Sequence, residues 1–349
     1  MFARAIEAGT SHDVSRSMDI PPLTRVRAFA ALAVVLYHFT PWPNSLFARG
    51  YLGVDLFFIL SGFIIHHVYR EEFRVSVVAD DVRRFLLLRI ARIYPVHLAT
   101  MAAMLVLYAG AMFVLNRTPQ NASVFSLPAI LANLTMTHAW FNIPSPNVPA
   151  WTISAEWFAY ILYPVVCFGF MRLPQATKLA AIPLALMAVH LWGDVHPLLR
   201  IAPEFLIGMC LRDAVYVTAR WLGVAAVGAI VLVGWLVAGE ALALRVTLFG
   251  LLIVGLASPH DWLRQLLSAR LLLYAGEISY SLYLVHGVVL TIITNLVRAI
   301  PSLPPVTGVP IVTAGVLVSF MSAVVMFEMV EKPARRWIRK VFVGVKSNS

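Results

Sequence analysis

The chain has 349 residues, of which 60% are hydrophobic and 13% are charged, and its formal net charge is +10. This composition and a mean hydropathy of +0.82 exclude an ordinary soluble globular protein. Because a membrane-spanning helix needs about 20 mainly apolar residues, the chain has room for about ten such helices and no separate soluble domain. The basic residues cluster at the ends of apolar runs, where membrane topology explains them, so we predict no nucleic-acid partner.

Ten apolar runs predict an all-α, polytopic membrane helical bundle. In chain order they are residues 28–42, 51–69, 93–115, 151–170, 179–192, 198–211, 221–237, 241–257, 271–297 and 306–329. A weaker stretch at 124–139 is predicted to be re-entrant or to lie on the surface, because a crossing there would place Arg172 and Lys178 outside. Cys167 and Cys210 lie in apolar runs, which excludes a disulfide framework and a cysteine-rich metal site; no other metal-ligand spacing occurs either.

The distribution of basic residues predicts the orientation. The densest basic loop joins the second and third runs, so this loop and both termini are expected in the cytoplasm. Residues 1–22 are predicted to be a cytoplasmic tail, residues 23–337 the integral membrane domain and residues 338–349 a second cytoplasmic tail.

Two ionisable residues share one face of the first run. Arg27 and His38 are eleven positions apart, which corresponds to three helical turns plus about 20° and to an axial distance of about 16 Å. Ionisable groups within a membrane are costly and usually functional. The alternative is that Arg27 is an interfacial anchor and His38 a core histidine bonded to a backbone carbonyl.

Two carboxylates are predicted at the depth of His38. Asp55 lies a few residues inside the outer end of the second run, where it could fix the tautomer of His38 and leave the other ring nitrogen as a base. Glu156 enters the bundle at the outer end of the fourth run. A plain structural hydrogen bond is the alternative for Asp55. A third carboxylate, Glu204, follows Arg200 by four positions, which favours an ion pair within one helix.

Further polar residues are candidates for ligand binding. Arg89 and Arg92 lie one helical turn apart and suit phosphate oxygens, with Tyr94 next to them, although any cytoplasmic loop carries such charges. The candidates for substrate binding lie in the fourth and ninth runs, and helix packing through small and hydroxyl residues is the alternative for most of them. They are Trp151, Ser154, Ser279, Tyr283 and His286.

In these residues the sequence resembles the acyltransferase 3 family of bacterial membrane O-acyltransferases. The resemblance runs from Arg25 to about Trp337 and is most specific in the arginine, ten residues, histidine pattern of Arg27 and His38. The other ordered motifs are Gly53 to Gly62, Arg89 to Pro95, Trp151 to Glu156, Pro203 to Gly208, Ser279 to His286, and Glu331, Lys332 and Pro333.

The resemblance implies transfer of an acyl group, usually acetyl, from acyl-coenzyme A to a hydroxyl of a cell-surface carbohydrate or lipid-linked sugar. It implies that His38 and Arg27 are the residues most needed and that Arg89 and Arg92 contact the coenzyme. No permanently bound cofactor is expected. Some relatives carry an additional esterase-like domain, so a periplasmic relay here would need a separate partner protein.

The resulting hypothesis is a multi-pass enzyme of the bacterial inner membrane. Arg89, Arg92 and Arg27 hold the phosphates of the coenzyme on the cytoplasmic side, and His38, oriented by Asp55, accepts the proton of a sugar hydroxyl. Direct transfer and a covalent acyl-histidine intermediate both remain open. The alternative is a proton-coupled transporter or flippase of a sugar-lipid, in which His38, Asp55 and Glu156 form a proton relay.

Overall fold

The computed structural model describes residues 20–40, 46–114, 122–214, 220–236, 242–300 and 308–342, which contain helices and no strand. This confirms the predicted all-α membrane fold. The α-helices of these residues are α1 (Pro21–Phe39), α2 (Gly53–Tyr69), α3 (Ala79–Ala109), α4 (Leu127–Leu134), α5 (Trp151–Phe170), α6 (Gln175–Trp192), α7 (Pro197–Ala214), α8 (Leu222–Leu236), α9 (Leu242–Ala257), α10 (Trp262–Leu266), α11 (Arg270–Glu277), α12 (Ser279–Ala299), α13 (Val309–Met326) and α14 (Lys332–Phe342).

The ten predicted apolar runs coincide with long helices, namely α1 to α3, α5 to α9, α12 and α13. The run 271–297 differs from the prediction in one respect, because the chain bends at Ile278 and divides it into α11 and α12. Among the described residues, five stretches are long and apolar enough to cross a membrane: Phe47–Tyr69, Ala79–Phe113, Val148–Phe170, Ser279–Ala299 and Val309–Phe342.

Parts of the predicted organisation lie outside the described residues. These parts are residues 1–19 of the predicted N-terminal tail, residues 343–349 of the C-terminal tail and the ends of five apolar runs, at 41–42, 115, 237, 241 and 306–307. The predicted end of the membrane domain at residue 337 falls inside α14.

Helix α1 is at the centre of the bundle and contacts α2, α9, α11, α12 and α13. Its first turn contains Pro21 and Pro22, and proline is favoured there because the first backbone N–H groups of a helix have no partner within it. Apolar side chains along its whole length are fully buried, from Leu23 through Val34 to Phe39. The polar side chains of α1 are therefore held at fixed depths inside protein.

Helices α2 and α7 approach each other through two glycines. A Cβ atom on Gly62 would lie 2.0 Å from the carbonyl oxygen of Phe205, and one on Gly208 would lie 2.2 Å from that of Ile59. Close approach through small residues is a common way to pack helices in membranes, where no hydrophobic force drives them together. The glycines thereby bring the polar residues of α2 and α7 within bonding distance.

The segment 122–150 consists of short helices. Its longest helix, α4, has 8 residues and extends about 12 Å, which is too short to cross a bilayer. Protein groups bond some of its backbone atoms: Ser154 accepts a hydrogen bond from the backbone of Ala139 at 3.0 Å, and His97 bonds the carbonyl of Asn133 at 2.8 Å. Such shielding is what a non-spanning segment needs at membrane depth, and the predicted re-entrant or surface segment is confirmed.

A π-helical turn at Phe327–Glu331 connects α13 to α14. Glu331 is fully buried there and accepts a hydrogen bond from Ser281 at 2.7 Å. Helix α14 packs against α3. The buried carboxylate of Glu331 therefore helps to hold α14 against the bundle.

The α2–α7 contact predicts that Gly208→Ala lowers the free energy of unfolding by about 1–3 kcal/mol, because the added methyl group overpacks a backbone contact. We expect a lower melting temperature of the purified protein in detergent. Gly169→Ala is the matched control, since no atom lies within 4 Å of a Cβ at that position. Equal melting temperatures for the two variants would contradict the prediction.

Candidate active site

A strongly basic cavity of about 480 Å³ opens at the end of the bundle where α1, α3 and α11 begin. Arg27 of α1 and Arg89 and Arg92 of α3 line it. Helix α14 supplies a comparable set of basic side chains, namely Lys332, Arg335, Arg336 and Arg339. Guanidinium groups bind phosphate and carboxylate oxygens through paired hydrogen bonds, so the cavity is suited to an anionic ligand.

Neighbouring side chains hold two of these arginines in place. Arg89 donates a hydrogen bond to the hydroxyl of Tyr69 at 2.9 Å, and its guanidinium lies 5.1 Å from the centre of the same ring. Arg335 forms an ion pair with the buried Glu331 at 3.4 Å. Because these contacts occupy only part of each guanidinium, donors remain for a ligand.

A narrow extension of about 30 Å³ continues from the basic cavity into the bundle. Arg27, Ser61 and Glu156 line both spaces, and Phe57 and Tyr283 line the extension alone. Ser61 donates a hydrogen bond to Glu156 at 2.6 Å. A volume this small admits only a slender group, so the extension can act as a neck but not as a site for a nucleotide.

A pair of histidines lies beyond the neck. The ring of Tyr283 is 5.8 Å from that of His286, and the ring of His286 is 5.0 Å from that of His38. Nε2 of His286 lies 3.3 Å from Nδ1 of His38. His286 is fully buried, whereas His38 is partly exposed. Neither histidine lines the cavity or the neck, and the ring of Tyr283 joins the pair to the neck.

A profile of the family described as an acyltransferase domain matches residues 23–327. The chain belongs to the acyltransferase 3 family. The match covers most of the chain and confirms the predicted family of acyltransferase enzymes. It includes both histidines and the whole neck, but it ends before α14 begins.

Three relatives in this family are similar over most of the chain. A protein of Bacillus subtilis provisionally named peptidoglycan O-acetyltransferase YrhL is 26% identical over 95% of the chain. The acyltransferase MdmB of Streptomyces mycarofaciens is 26% identical over 79% of the chain and 80% of its own length. The O-acetyltransferase OatA of Staphylococcus aureus is 23% identical over 93% of the chain. The chain spans 58% of the length of the first and third relatives. No solved structure matches it.

Arg27, the first residue of the arginine–histidine motif in α1, lines both the cavity and the neck. Its guanidinium is 5.6 Å from the ring centre of Phe57. His38 lies near the opposite end of the helix, eleven positions on. The predicted common face of the two residues therefore connects the cavity to the histidine pair. Arg89 and Arg92 also line the cavity as predicted for phosphate contacts, and their role stays a prediction.

The predicted bond between Asp55 and His38 is wrong. Asp55 is fully buried and accepts two hydrogen bonds from Arg200, at 2.7 Å and 2.9 Å. The predicted ion pair between Arg200 and Glu204 is wrong for the same reason, since Arg200 is already bound to Asp55. Both carboxylate oxygens of the buried Glu204 are without a hydrogen-bond partner in the described part of the chain.

Glu156 was predicted at the depth of His38, but it lies in the basic cavity with Arg27, which is at the other end of α1 from His38. It accepts hydrogen bonds from Ser61 and Tyr160 and lines the basic cavity together with Arg27. The reason is its position one helical turn into α5, which moves it inward from the outer end of that helix. His38, Asp55 and Glu156 thus have separate partners, and the contacts of the proton relay predicted for a transporter are not formed among them.

Tyr94 does not line the basic cavity, because it is two positions from Arg92 and thus about 200° around α3. Of the predicted substrate-binding residues, Tyr283 lines the neck and His286 contacts His38. The other three contact neighbouring helices or turns and not the cavity or neck. Ser154 bonds the backbone of Ala139, Ser279 bonds the carbonyl of Gly276 at 2.7 Å, and Trp151 packs against Phe58.

Sequence reasoning missed the contribution of α14, because it explained those basic residues by membrane topology alone. Their spacing was an available signal. Residues three, four and seven positions apart share one helical face, which applies to Lys332, Arg335, Arg336 and Arg339. Ser61, Tyr160 and Glu277, which also line the cavity, had no comparable signal in the sequence.

The Asp55–Arg200 pair predicts a large effect on stability. Arg200→Ala leaves the fully buried Asp55 carboxylate without its partner, which should cost about 3–5 kcal/mol of unfolding free energy. The melting temperature in detergent measures the loss. Arg74→Ala removes one partner of an ion pair whose side chains are 61% and 63% exposed, and it should change stability by less than about 1 kcal/mol. A similar loss in both variants would contradict the assignment.

Proposed function

We propose that this chain is a membrane O-acyltransferase that moves an acyl group, acetyl by preference, from acyl-coenzyme A to a hydroxyl of a cell-surface carbohydrate or lipid-linked sugar. The observation that carries the proposal is the series of basic cavity, narrow neck and histidine pair along α1. Family membership supports the reaction type. The names of the Bacillus and Staphylococcus relatives support O-acetylation, with peptidoglycan as the acceptor in the first.

The charge of the cavity favours coenzyme A as the carrier of the acyl group. Among the described lining residues seven are cationic, and two, Glu156 and Glu277, are carboxylates, so five positive charges are in excess. Coenzyme A carries a diphosphate and a 3′-phosphate, with a total of about four negative charges near neutral pH. A donor of this charge neutralises the cavity, whereas an uncharged acyl donor leaves the arginines to repel each other.

The shape of the site fits the same donor. The nucleotide part needs the wide cavity, whereas the pantetheine arm is a thin chain, branched only in its pantoyl part, and its thiol end is directed into the neck beside Arg27 and Tyr283. Arg27 and His38 are eleven positions apart on α1, which is about 16 Å along the axis. An extended arm that starts at the arginines is of the right order to carry a thioester to the histidine pair.

His38 is the base of the proposed reaction. As the acceptor hydroxyl attacks the thioester carbonyl, its proton passes to His38, a C–O bond forms and the C–S bond breaks. The proton then passes from His38 to the departing thiolate, so the products are an ester and free coenzyme A. Attack by His38 itself, with an acyl-histidine intermediate, gives the same products in two steps.

The proposed orientation follows from the distribution of charge. The basic cavity belongs on the cytoplasmic side because inside loops are rich in arginine and lysine, and acyl-coenzyme A is a cytoplasmic metabolite. We therefore place the protein in the bacterial inner membrane with both termini inside and the acceptor outside. Membrane lipids surround the bundle, and a separate periplasmic protein can take the acyl group onward.

The direct test uses purified protein in vesicles. Acetyl-coenzyme A labelled in its acetyl group is added outside, and soluble peptidoglycan fragments are trapped inside. We expect labelled ester on the trapped fragments, and His38→Ala should reduce its rate by about 10²–10⁴-fold, the usual contribution of a general base. His260→Ala, at an exposed position, is the control. Full activity of His38→Ala would refute the proposed role of His38, and label bound covalently to the protein would indicate the acyl-histidine route.

The contribution of α14 is tested separately. Arg336→Ala combined with Arg339→Ala, which leaves the Arg335–Glu331 ion pair intact, should raise KM for acetyl-coenzyme A by about 10-fold or more and leave kcat within about 2-fold, since phosphate contacts bind ground state and transition state alike. Arg298→Ala, an exposed arginine outside the cavity, should leave KM unchanged. If the double variant kept the KM of the unsubstituted protein, α14 would have no part in donor binding.

A further inference from the structure

The two histidines beyond the neck form a directional chain of hydrogen bonds. Nδ1 of His38 lies 2.9 Å from the carbonyl oxygen of Val34 and 3.3 Å from Nε2 of His286. Nδ1 of His286 lies 3.3 Å from the carbonyl oxygen of Leu282. Each ring nitrogen in this chain therefore has an identified neighbour except Nε2 of His38, for which the described residues provide none.

The carbonyl groups determine where the protons are. A carbonyl oxygen can only accept, so Nδ1 of His38 carries hydrogen, and in the neutral ring Nε2 then has the lone pair. The same argument gives His286 a hydrogen on Nδ1 and a lone pair on Nε2. That lone pair faces the Nδ1–H of His38, which is shared between Val34 and His286.

We propose that His286 is a positioning residue for His38. It accepts the Nδ1–H of His38, fixes the tautomer and ring orientation, and leaves Nε2 of His38 as the base. This inference rests on the proposed function, because the proton that reaches Nε2 comes from the acceptor hydroxyl. Histidine here takes the place that a carboxylate occupies in a catalytic triad.

His286 also stabilises the charged form of His38. When Nε2 takes the proton of the hydroxyl, both ring nitrogens of His38 carry hydrogen, and Nδ1–H becomes a stronger donor to His286. The interaction strengthens as the C–O bond forms and weakens again when Nε2 returns its proton to the departing thiolate. His286 itself gains and loses no proton in the cycle.

The surroundings leave His286 as the partner for this task. Asp55, the carboxylate that the sequence predicted as the partner of His38, accepts two hydrogen bonds from Arg200 instead. His286 is fully buried between its own carbonyl partner and the ring of Tyr283. Burial of this kind restricts the imidazole to one orientation, which positioning of a catalytic base requires.

The test compares two substitutions at His286 in the vesicle assay, with labelled acetyl-coenzyme A and trapped peptidoglycan fragments. In His286→Gln the side-chain carbonyl can replace Nε2 as acceptor, whereas in His286→Leu no acceptor remains. We expect His286→Leu to lower kcat by about 10–100-fold, as for loss of a group that orients a catalytic residue. KM for acetyl-coenzyme A should stay unchanged, and His286→Gln should restore most of kcat. Rates are expressed per folded protein from the melting curve, and His286→Phe replaces the leucine variant if that variant does not fold.

The outcomes separate this inference from the proposed function. A kcat of His286→Leu equal to that of the unsubstituted protein overturns the inference, and so does a glutamine variant as slow as the leucine variant. In both cases an inactive His38→Ala leaves the proposed function intact. Full activity of His38→Ala removes the proposed base, and the role of His286 with it.

Discussion

The site depends on one rigid helix that carries a polar group near each end. Because α1 is buried against five other helices, the distance between Arg27 and His38 is set by backbone geometry and not by side-chain flexibility. A separation of about 16 Å is too long for one side chain to bridge and suits a long, thin ligand. Side chains of the neighbouring helices line this face, and they determine the width of the cavity at one end and of the neck in the middle.

The excess of positive charge has a structural cost that the bundle offsets locally. Arginines that face each other across a cavity repel, and two of them have partial compensation. Arg89 lies over Tyr69 and donates to its hydroxyl, and Arg335 is bound to the buried Glu331. Full compensation would leave no affinity for a ligand. An arrangement that stabilises the arginines only in part is what an anion-binding site requires.

Local geometry could be predicted from the sequence, and contacts between distant helices could not. The common face of Arg27 and His38 follows from helical periodicity, and the ten helical runs follow from the length of the apolar stretches. Both depend on near neighbours alone. The partner of Asp55, Arg200, lies 145 positions away on α7. The two helices come close enough for this bond through Gly62 and Gly208, and the sequence does not reveal that these glycines are contact points. The prediction that Tyr94 contacts the coenzyme could have been avoided from the sequence, because a residue two positions from Arg92 lies about 200° around the helix, on another face.

A neutral histidine pair suits this depth better than a carboxylate and a histidine. A carboxylate beside His38 would be an uncompensated charge between turnovers, which is costly inside the membrane, and the structure instead neutralises Asp55 with Arg200. In the proposed reaction two neutral imidazoles bear no net charge until the acceptor proton arrives, and the positive charge then exists only while the negative charge develops on the reacting oxygen or sulfur. The electrostatic cost of burial is thus confined to the chemical step, where opposite charges are adjacent and stabilise each other.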